Sequence, residues 1–280
     1  MSPALVPALL VSALAAGPSS SQPEKKPAPT PNRTPAAPAR TPESAAPEAA
    51  PPAKPAPPLL PFPHPVITEV LYAVPTGLRG DASGDGNRAV AGDEFVEIWN
   101  PHDRPINLKG YVITDGNEAQ KGQFKFVFPS CELRPGQCAV VFNGDESKWE
   151  SNIGDATRAA GPNEKFAGAL VFTAKNTSSR TAFNNTADMV LLSDPAGKGL
   201  EAISWGGAKL PAGRSFTINE DVPVTNAQAS VQRKAPGGPF IAHADLDGKP
   251  FSPGVFGPAA AANPAPTPTP DPKAAPTGKK

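Results

Sequence analysis

The chain has 280 residues, 26 basic and 26 acidic side chains, and 39 prolines, a proline content far above the roughly 5% of ordinary proteins. The prolines are concentrated at the two ends, with 17 between residues 18 and 65 and 7 between residues 257 and 280. Residues 64–256 carry 18 Lys and Arg against 22 Asp and Glu, a net charge of −4. A domain of that sign lacks the general attraction to phosphate backbones, so no nucleic-acid partner is expected.

The first 17 residues form an apolar run that ends in the small-residue pattern Ala13-Leu14-Ala15. This pattern is typical of a cleaved secretory signal peptide, and the run is too short to span a bilayer. The alternative is an Ala-rich, disordered start of a cytosolic protein. The signal-peptide interpretation predicts a secreted, periplasmic or cell-surface protein, with no transmembrane segment once the signal is removed.

Two Pro-rich flanks surround a more apolar middle region. Residues 18–65 contain Pro, Ala, Ser and Thr with scattered charges, and they cannot bury enough apolar area to offset the ordering of their backbone. We predict a disordered linker here and a second disordered tail at residues 257–280. Residues 66–256 are then expected to form one β domain, and the linker either holds that domain away from a surface or is an inert leader.

The domain is organised around residues 93–101, a run of residues that favour strands and that ends abruptly at an Asn-Pro pair. Val96 and Ile98 point to one face of this strand and its two aromatic residues point to the other. Because both faces are apolar, the strand is predicted to be central. A second apolar run at residues 110–115 follows after a short connection and is predicted to pair with it.

Alternating apolar patterns and turn residues predict further strands along the chain. These lie at residues 66–73, 124–129, 138–142, 189–193 and 200–205, with short edge strands at 215–218 and 230–233. The last two long strands are separated by an Asp-Pro-Ala-Gly turn and are predicted to form a hairpin. Residues 143–180 are polar and weakly periodic, which favours a surface insertion with one short helix.

Several motifs of the chain occur in the order of a known family. They are residues 66–70 (VITEV), 93–100 (DEFVEIWN), 107–115 (NLKGYVITD), 126–129 (FVFP), 133–136 (LRPG), 185–194 (NTADMVLLSD) and 251–254 (FSPG). With these motifs the chain resembles the lamin tail domain as found in exported bacterial proteins. The resemblance implies an all-β, immunoglobulin-like β-sandwich and supplies no catalytic residues. The heptad rod of nuclear lamins is missing, so filament assembly is not expected.

Residues 81–87 (DASGDGN) resemble the first half of a calcium-binding loop. Oxygen-bearing side chains stand at alternate positions and a glycine stands at the sixth, where a tight turn is needed. The twelfth position should hold a carboxylate but is Gly92, with acidic residues one and two positions later. The predicted ligands are Asp81, Ser83, Asp85, Asn87, Asp93 and Glu94. The alternative is a solvated Asp-Gly turn. Residues 245–248 (DLDG) are predicted to be a plain turn, with a weaker second calcium loop as the alternative.

Cys131 and Cys138 are the two cysteines of the chain, and they flank a Pro-Gly turn between two predicted strands. In an exported protein an even pair at this spacing most simply forms a disulfide across a hairpin. The alternative is two buried free thiols. The spacing does not match a zinc site.

No motif of a known catalytic site stands out in the sequence. His64, His102 and His243 are isolated, and Glu97 within its apolar strand is interpreted as a satisfied polar group. The sequence therefore favours an exported, non-catalytic binding or structural module whose partner is a protein, a glycan or an envelope component. One alternative is a metal-dependent extracellular hydrolase with a site built from the acidic residues of the loop at 81–94. Another is DNA binding by analogy with nuclear lamin tails, which the charge of −4 opposes.

Overall fold

The computed structural model describes residues 59–116, 124–144, 152–175 and 182–257. The predicted signal peptide, most of the predicted linker and the predicted tail from residue 258 lie outside these residues. Residues 59–65, the end of the predicted linker, contact the folded domain: Leu60 is buried in the core, and the Tyr111 hydroxyl lies 3.2 Å from the Pro63 carbonyl oxygen. Within the described ranges, no helix is long and apolar enough to cross a membrane.

Short strands account for most of the regular structure. They are β1 (Val66–Leu71), β2 (Phe95–Trp99), β3 (Ile106–Asn107), β4 (Val112–Asp115), β5 (Lys125–Val127), β6 (Glu132–Leu133), β7 (Cys138–Phe142), β8 (Gly154–Asp155), β9 (Leu170–Thr173), β10 (Asp188–Ser193), β11 (Gly199–Trp205), β12 (Phe216–Val222), β13 (Val231–Arg233) and β14 (Phe240–Ala242). The described helices are the 3-10 helices Gly77–Gly80 and Glu164–Phe166 and one α-helical turn, α1 (Ala244–Asp247). The domain is therefore all-β, as predicted.

Two sheets pack face to face around one core. The larger sheet has the order β14-β13-β1-β2-β7-β9-β8 and the smaller has the order β12-β11-β10-β4-β5, while β3 and β6 form a separate pair. Aromatic contacts join the sheets: the Tyr72 and Trp205 rings stack at 4.0 Å, and the Phe126 and Phe172 centroids lie 5.4 Å apart. This arrangement confirms the immunoglobulin-like β-sandwich that the resemblance implies.

Strand β2 occupies the middle of the larger sheet, between β1 and β7, which confirms its predicted central position. Val96 and Ile98 point into the space between the sheets and belong to the core. Phe95 and Trp99 point to the outer face of the sheet, where they are also buried. Both faces of the strand are therefore covered by other parts of the chain.

The predicted pairing of residues 93–101 with residues 110–115 is wrong. Strand β2 lies in the larger sheet and β4 in the smaller, so the connection between them crosses from one sheet to the other. The Asn100 side chain fixes that crossing, since its amide nitrogen donates to the carbonyl oxygens of Arg104 (2.8 Å) and Leu133 (2.9 Å). A short polar connection fits an arch between sheets as well as a hairpin, which explains the error.

The predicted hairpin at residues 189–205 is confirmed, because β10 and β11 pair antiparallel. The predicted insertion at residues 143–180 contains the expected short helix, but it is not confined to the surface. Strand β9 pairs parallel with β7 in the larger sheet, and Val171 and Phe172 are fully buried. Strand β12 is at an edge as predicted, whereas β13 lies inside the larger sheet between β14 and β1.

Arg233 ties the two sheets together from inside the molecule. Its guanidinium is buried, contacts the carboxylates of Glu201 and Glu220 in the smaller sheet, and donates to the Ile67 carbonyl oxygen at 2.8 Å in the larger one. The Ile67 backbone N–H completes the link by donating to Glu201 at 2.7 Å. A buried charge with several such partners is stable only while all of them stay in place.

Candidate functional site at the loop end of the sandwich

The connection between β1 and β2, residues 72–94, contains all six predicted metal ligands. It lies at the end of the larger sheet where Leu71 of β1 stands opposite Phe95 of β2, and Phe95 opposite Phe142 of β7. Loops carried at one end of a β-sandwich are a common place for binding sites. We call this part of the molecule the loop end.

Asp93 closes the loop onto the start of β2. Its carboxylate is fully buried and accepts the backbone N–H groups of Ser83 at 2.8 Å and Ala89 at 2.7 Å. Burial raises the pKa of Asp93, and the two backbone hydrogen bonds act in the opposite direction. One carboxylate therefore fixes two distant points of the loop.

Asp81 organises the tip of the loop in the same way. Its carboxylate accepts the backbone N–H groups of Asp85 at 3.0 Å and Gly86 at 2.9 Å, and that of Asp85 accepts the N–H of Asn87 at 2.8 Å. These are the local side-chain-to-backbone bonds by which Asp residues stabilise turns. Gly86 has a φ of +89°, a value that glycine adopts without strain.

The predicted ligands separate into two groups. Asp81, Ser83, Asp85 and Asp93 are linked by hydrogen bonds within the loop, including one from the Ser83 hydroxyl to Asp81 at 3.3 Å. Glu94 lies apart, because its carboxylate accepts the Phe183 N–H at 3.2 Å. Nowhere in the described ranges do three or more His, Cys, Asp or Glu side chains form a group that could hold a metal ion. Calcium binding stays a prediction.

Glu94 belongs to the interior of the sandwich and not to the loop tip. Burial raises its pKa well above the ordinary value, and the negative charges of Asp188 and Asp115 raise it further. Both of these acids belong to strands of the smaller sheet. An ionised Glu94 would place like charges close together in a dry environment, so its neutral form is favoured.

The loop displays apolar side chains while its polar groups hold it in place. Leu78 in the first 3-10 helix is 76% exposed and Val90 is 61% exposed. Arg88 ties the second half of this loop to its first residues by donating to the carbonyl oxygens of Val74, at 2.8 Å, and Pro75. Two large apolar residues are therefore presented to solvent on a backbone that its own hydrogen bonds define.

A second connection shares the loop end. The Tyr72 hydroxyl donates to the Pro223 carbonyl oxygen at 3.0 Å and accepts the Thr225 N–H at 2.9 Å, which holds residues 223–225 against the base of the first loop. Val224, between them, is 39% exposed. The exposed apolar residues of the loop end are Leu78, Val90 and Val224.

The histidines and Glu97 have structural partners. His64 and His102 are brought together at the other end of the domain, where the His102 ring lies 3.0 Å from the His64 carbonyl oxygen. Glu97 accepts the Thr68 hydroxyl and the Gly254 N–H, each at 2.7 Å, which confirms its interpretation as a satisfied polar group. Sequence reasoning did not identify its partners, because nothing in the local pattern connects residue 97 with residue 254.

The predicted disulfide between Cys131 and Cys138 is not formed in this structure, in which both are free thiols. Cys138 begins β7 of the larger sheet, and burial raises the pKa of its thiol well above the ordinary value. Cys131 directly precedes β6, which belongs to the separate two-stranded pair. The two cysteines thus flank a connection between different sheets, and the hairpin assumed in the prediction does not exist.

Two β-sheets around one core, with stabilised loops at one end, define an immunoglobulin-like domain of the kind that serves as a non-catalytic binding or structural module. The model of the Lamin Tail Domain family matches residues 63–207, and the chain belongs to this family. No curated protein matches the chain. The family match ends after β11, before the last three strands and the FSPG motif at residues 251–254.

Proposed function

We propose that this protein is an exported, non-catalytic binding module that docks a partner protein on its loop end. The observation that carries the proposal is the exposure of Leu78 and Val90 on a loop held by its own hydrogen bonds. A large exposed apolar side chain at a fixed position is a typical anchor of protein interfaces. Membership of a family of interaction domains supports the same conclusion.

The hydrogen bonds of Asp81, Asp93 and Arg88 lower the cost of binding. A loop that is already ordered loses less conformational freedom when a partner docks. The acidic residues beside the exposed apolar ones, together with the domain charge of −4, favour a partner whose binding surface has an apolar pocket with a basic rim. A glycan or another envelope component is a different outcome of the same test.

The proposal is tested with the full chain and two sets of substitutions. Leu78→Asp and Val90→Asp place charges on the two exposed positions of the loop end. Val127→Asp is the matched control, because Val127 is 41% exposed on β5, away from the loop end. Cross-linking in the native envelope fraction, followed by quantitative mass spectrometry, measures which proteins each variant retains.

We expect a partner retained by the wild-type chain and by Val127→Asp to be lost by at least about tenfold in the double loop variant, which corresponds to about 1.4 kcal/mol of binding free energy. Equal retention by all three chains would contradict docking at the loop end. Retention that is instead abolished by a glycosidase treatment would replace the protein partner with a glycan.

Export is part of the proposal and is tested separately. The apolar residues 1–17 support a cleaved signal, and the Pro-rich residues 18–58 would then serve as a flexible arm. N-terminal sequencing of the mature protein from culture fluid or the cell surface should give a start near residue 16. An intact Met1 on intracellular protein would show that the chain is not exported by this route.

A further inference from the structure

Two carboxyl groups stand side by side on the outer face of the larger sheet. Glu69 of β1 and Glu97 of β2 are paired directly across the two strands, and neither is exposed to solvent. Side chains at opposed positions of antiparallel strands lie on the same face with their Cβ atoms about 5 Å apart. Like charges at such positions repel, and more strongly where water is excluded. We call Glu69 and Glu97 the carboxyl pair.

The end of the described chain covers this pair. Residues 250–257, which we call the closing segment, run along the outward side chains of β2. The Phe251 ring contacts Phe95 at 6.5 Å between centroids, and the Phe256 ring contacts Trp99 at 5.2 Å, both edge to face. Between these contacts the closing segment is held by hydrogen bonds to the carboxyl pair.

These hydrogen bonds join the two ends of the domain. Glu69 accepts the Ser252 N–H at 3.0 Å and the Ser230 hydroxyl at 2.6 Å, and it lies 3.1 Å from the Gln232 amide nitrogen. Glu97 accepts the Gly254 N–H at 2.7 Å. Two backbone donors of the closing segment are thus bound to the pair, and the remaining donors to it come from neighbouring strands and loops.

The charged groups around the pair do not neutralise it. No Lys or Arg of the described residues forms an ion pair with either carboxylate, and Arg233 on the adjacent β13 is engaged with Glu201 and Glu220 in the smaller sheet. From β7 the pair faces the neutral thiol of Cys138. His243 reaches the pair through the Ser252 hydroxyl, which lies 2.8 Å from its ring.

Other polar groups surround His243 on its far side. Its Nδ1 lies 3.0 Å from the Lys249 carbonyl oxygen and 3.4 Å from an Asp247 carboxylate oxygen, and Asp247 also pairs with the Lys249 ammonium at 3.3 Å. The Ser252 hydroxyl accepts from the Gln232 amide at 3.0 Å and lies 3.3 Å from Glu69. The serine is therefore enclosed by the same network and links His243 to the carboxyl pair.

We propose that the carboxyl pair and the closing segment form a pH-sensitive clasp, which is closed while at least one carboxyl group is protonated and opens when both ionise. A proton on either carboxyl group removes the repulsion between the two side chains. The loss of that proton places two negative charges against each other in a dry site, and water reaches them only if the closing segment moves away. Opening uncovers Phe95 and Trp99 and creates an apolar surface on the outer face of the sheet.

The pKa values agree with this mechanism. Burial is the main reason that the pKa of both carboxyl groups is raised from 4.5 to about 7. For Glu69 the charge of Glu97 acts in the same direction, while the hydrogen bonds from Ser252 to Glu69 and from Gly254 to Glu97 act in the opposite one. Because the closed state binds protons more tightly than an open or unfolded one, its stability is greatest below about pH 4.5 and is lost as the pH rises through about 7. The clasp is therefore expected to open on the alkaline side of neutrality.

The test is hydrogen exchange of the full chain, measured by mass spectrometry at pH 5.5, 7 and 8.5 and corrected for the intrinsic rate at each pH. We expect protection of residues 250–257 to fall by about tenfold or more between pH 5.5 and 8.5. A pKa that is raised by one unit in the closed state corresponds to a tenfold change in the equilibrium between the closed and open states. Peptides from the β10–β11 hairpin are the internal control, and their corrected protection should stay nearly constant.

Glu69→Gln distinguishes the clasp from a general effect of pH. The amide keeps the size of the side chain and removes one ionisable group. The protection of the closing segment should therefore depend less on pH, while the contact of the segment with Glu97 remains. Glu97→Gln provides a second, independent variant. Corrected protection that is independent of pH in the wild-type chain, or an unchanged pH dependence in both variants, would overturn the proposal.

Discussion

The loop end and the clasp both use buried carboxylates to hold irregular chain, but they recruit donors at different distances. Asp93 accepts N–H groups from residues 10 and 4 positions away. Glu69 and Glu97 accept them from residues 183 and 157 positions away. A local network can form as soon as its own loop is ordered, whereas the long-range network requires the larger sheet and the closing segment to be in place. The loop should therefore be an independent unit, and the clasp should respond to the stability of the whole domain.

The two regions also differ in how charge is arranged. At Asp93, the hydrogen bonds that lower the pKa have a larger effect than the charge of Asp81, which raises it. For Glu69, the charge of Glu97 is second only to burial. A single buried carboxylate with backbone donors can remain ionised, but two that are directly opposed cannot both do so without cost. Sensitivity to pH is thus expected to concentrate at the clasp.

The largest expected effect comes from Gly254→Ala in the closing segment. A Cβ atom there would lie 2.3 Å from the Phe166 carbonyl oxygen, at a φ of +91°. We expect the free energy of unfolding to fall by about 3 kcal/mol, the upper end for single substitutions. Urea denaturation followed by circular dichroism measures it.

Gly136→Ala is the matched control, because Gly136 has a φ of +70° and nothing within 4 Å of the added methyl group. Only backbone strain applies there, so a loss of about 1 kcal/mol is expected. Equal losses for the two variants would show that the closing segment is not tightly packed on the domain.

Asp93→Ala removes the acceptor of two backbone N–H groups at the base of the loop. Buried donors left without partners cost about 1–3 kcal/mol, so we expect about 2 kcal/mol of lost stability in urea denaturation. Asp85→Ala is the control from the tip of the same loop and should cost a few tenths of a kcal/mol. If the loop is an independent unit, hydrogen exchange should increase in residues 76–94 and not in the closing segment. Equal increases in both regions would remove the distinction between them.

Thermal melts of the wild-type chain should show a lower Tm at pH 8.5 than at pH 5.5. Glu69, Glu97, Asp93 and Glu94 all have pKa values raised by burial, and each loses stability as the pH rises through its folded value. We expect a loss of about 1–2 kcal/mol, which corresponds to a few degrees for a domain of this size. Glu69→Gln should flatten the profile more than Asp93→Asn does. If Asp93→Asn flattened the profile more than Glu69→Gln, the pH sensitivity would lie at the loop end.

Calcium is expected to have the smallest effect. If the loop binds the ion with the millimolar affinity of extracellular sites, 5 mM calcium adds about 1 kcal/mol and raises the Tm by about 2–4 °C. Asp81→Asn should abolish this rise, while magnesium at the same concentration controls for ionic strength. An unchanged Tm would mean that the loop is held by hydrogen bonds within the protein, such as those of Asp81 and Asp93, and not by the ion.

The positions of most long strands follow from the sequence, because alternating apolar residues identify β1, β2, β7, β10 and β11 directly. The β10–β11 hairpin also follows, from its Asp-Pro-Ala-Gly turn. The pairing of β2 does not, since a polar connection such as residues 100–111 can lead to a neighbouring strand or to the opposite sheet. The hairpin on which the predicted disulfide was based is absent for the same reason, because β6 and β7 belong to different sheets. Strand β9 was missed because Leu170–Thr173 is a short apolar run inside a polar segment.

The candidate site was predictable only in part. Asp residues at alternate positions mark the loop at 81–94, but the same pattern serves a cation or the N–H groups of a turn, and only the structure shows which donors are near. Glu69 and Glu97 did carry a signal, since each is a lone acidic residue within a buried strand. Their partners in the closing segment could not be inferred, because they depend on contacts across almost the entire domain.

The link between Glu69 and Ser252 also sets the order in which the domain can be completed. Ribosomes make the chain from the N-terminus, so β1 emerges long before the residues that satisfy its buried carboxyl group. Until residues 251–256 follow, Phe95 and Trp99 have no cover on the outer face of the sheet. Contacts so distant in sequence form slowly, which leaves an apolar surface exposed in a nearly finished chain. Chaperones that bind apolar segments would find their target there, and a chain cut short before residue 251 would keep displaying it.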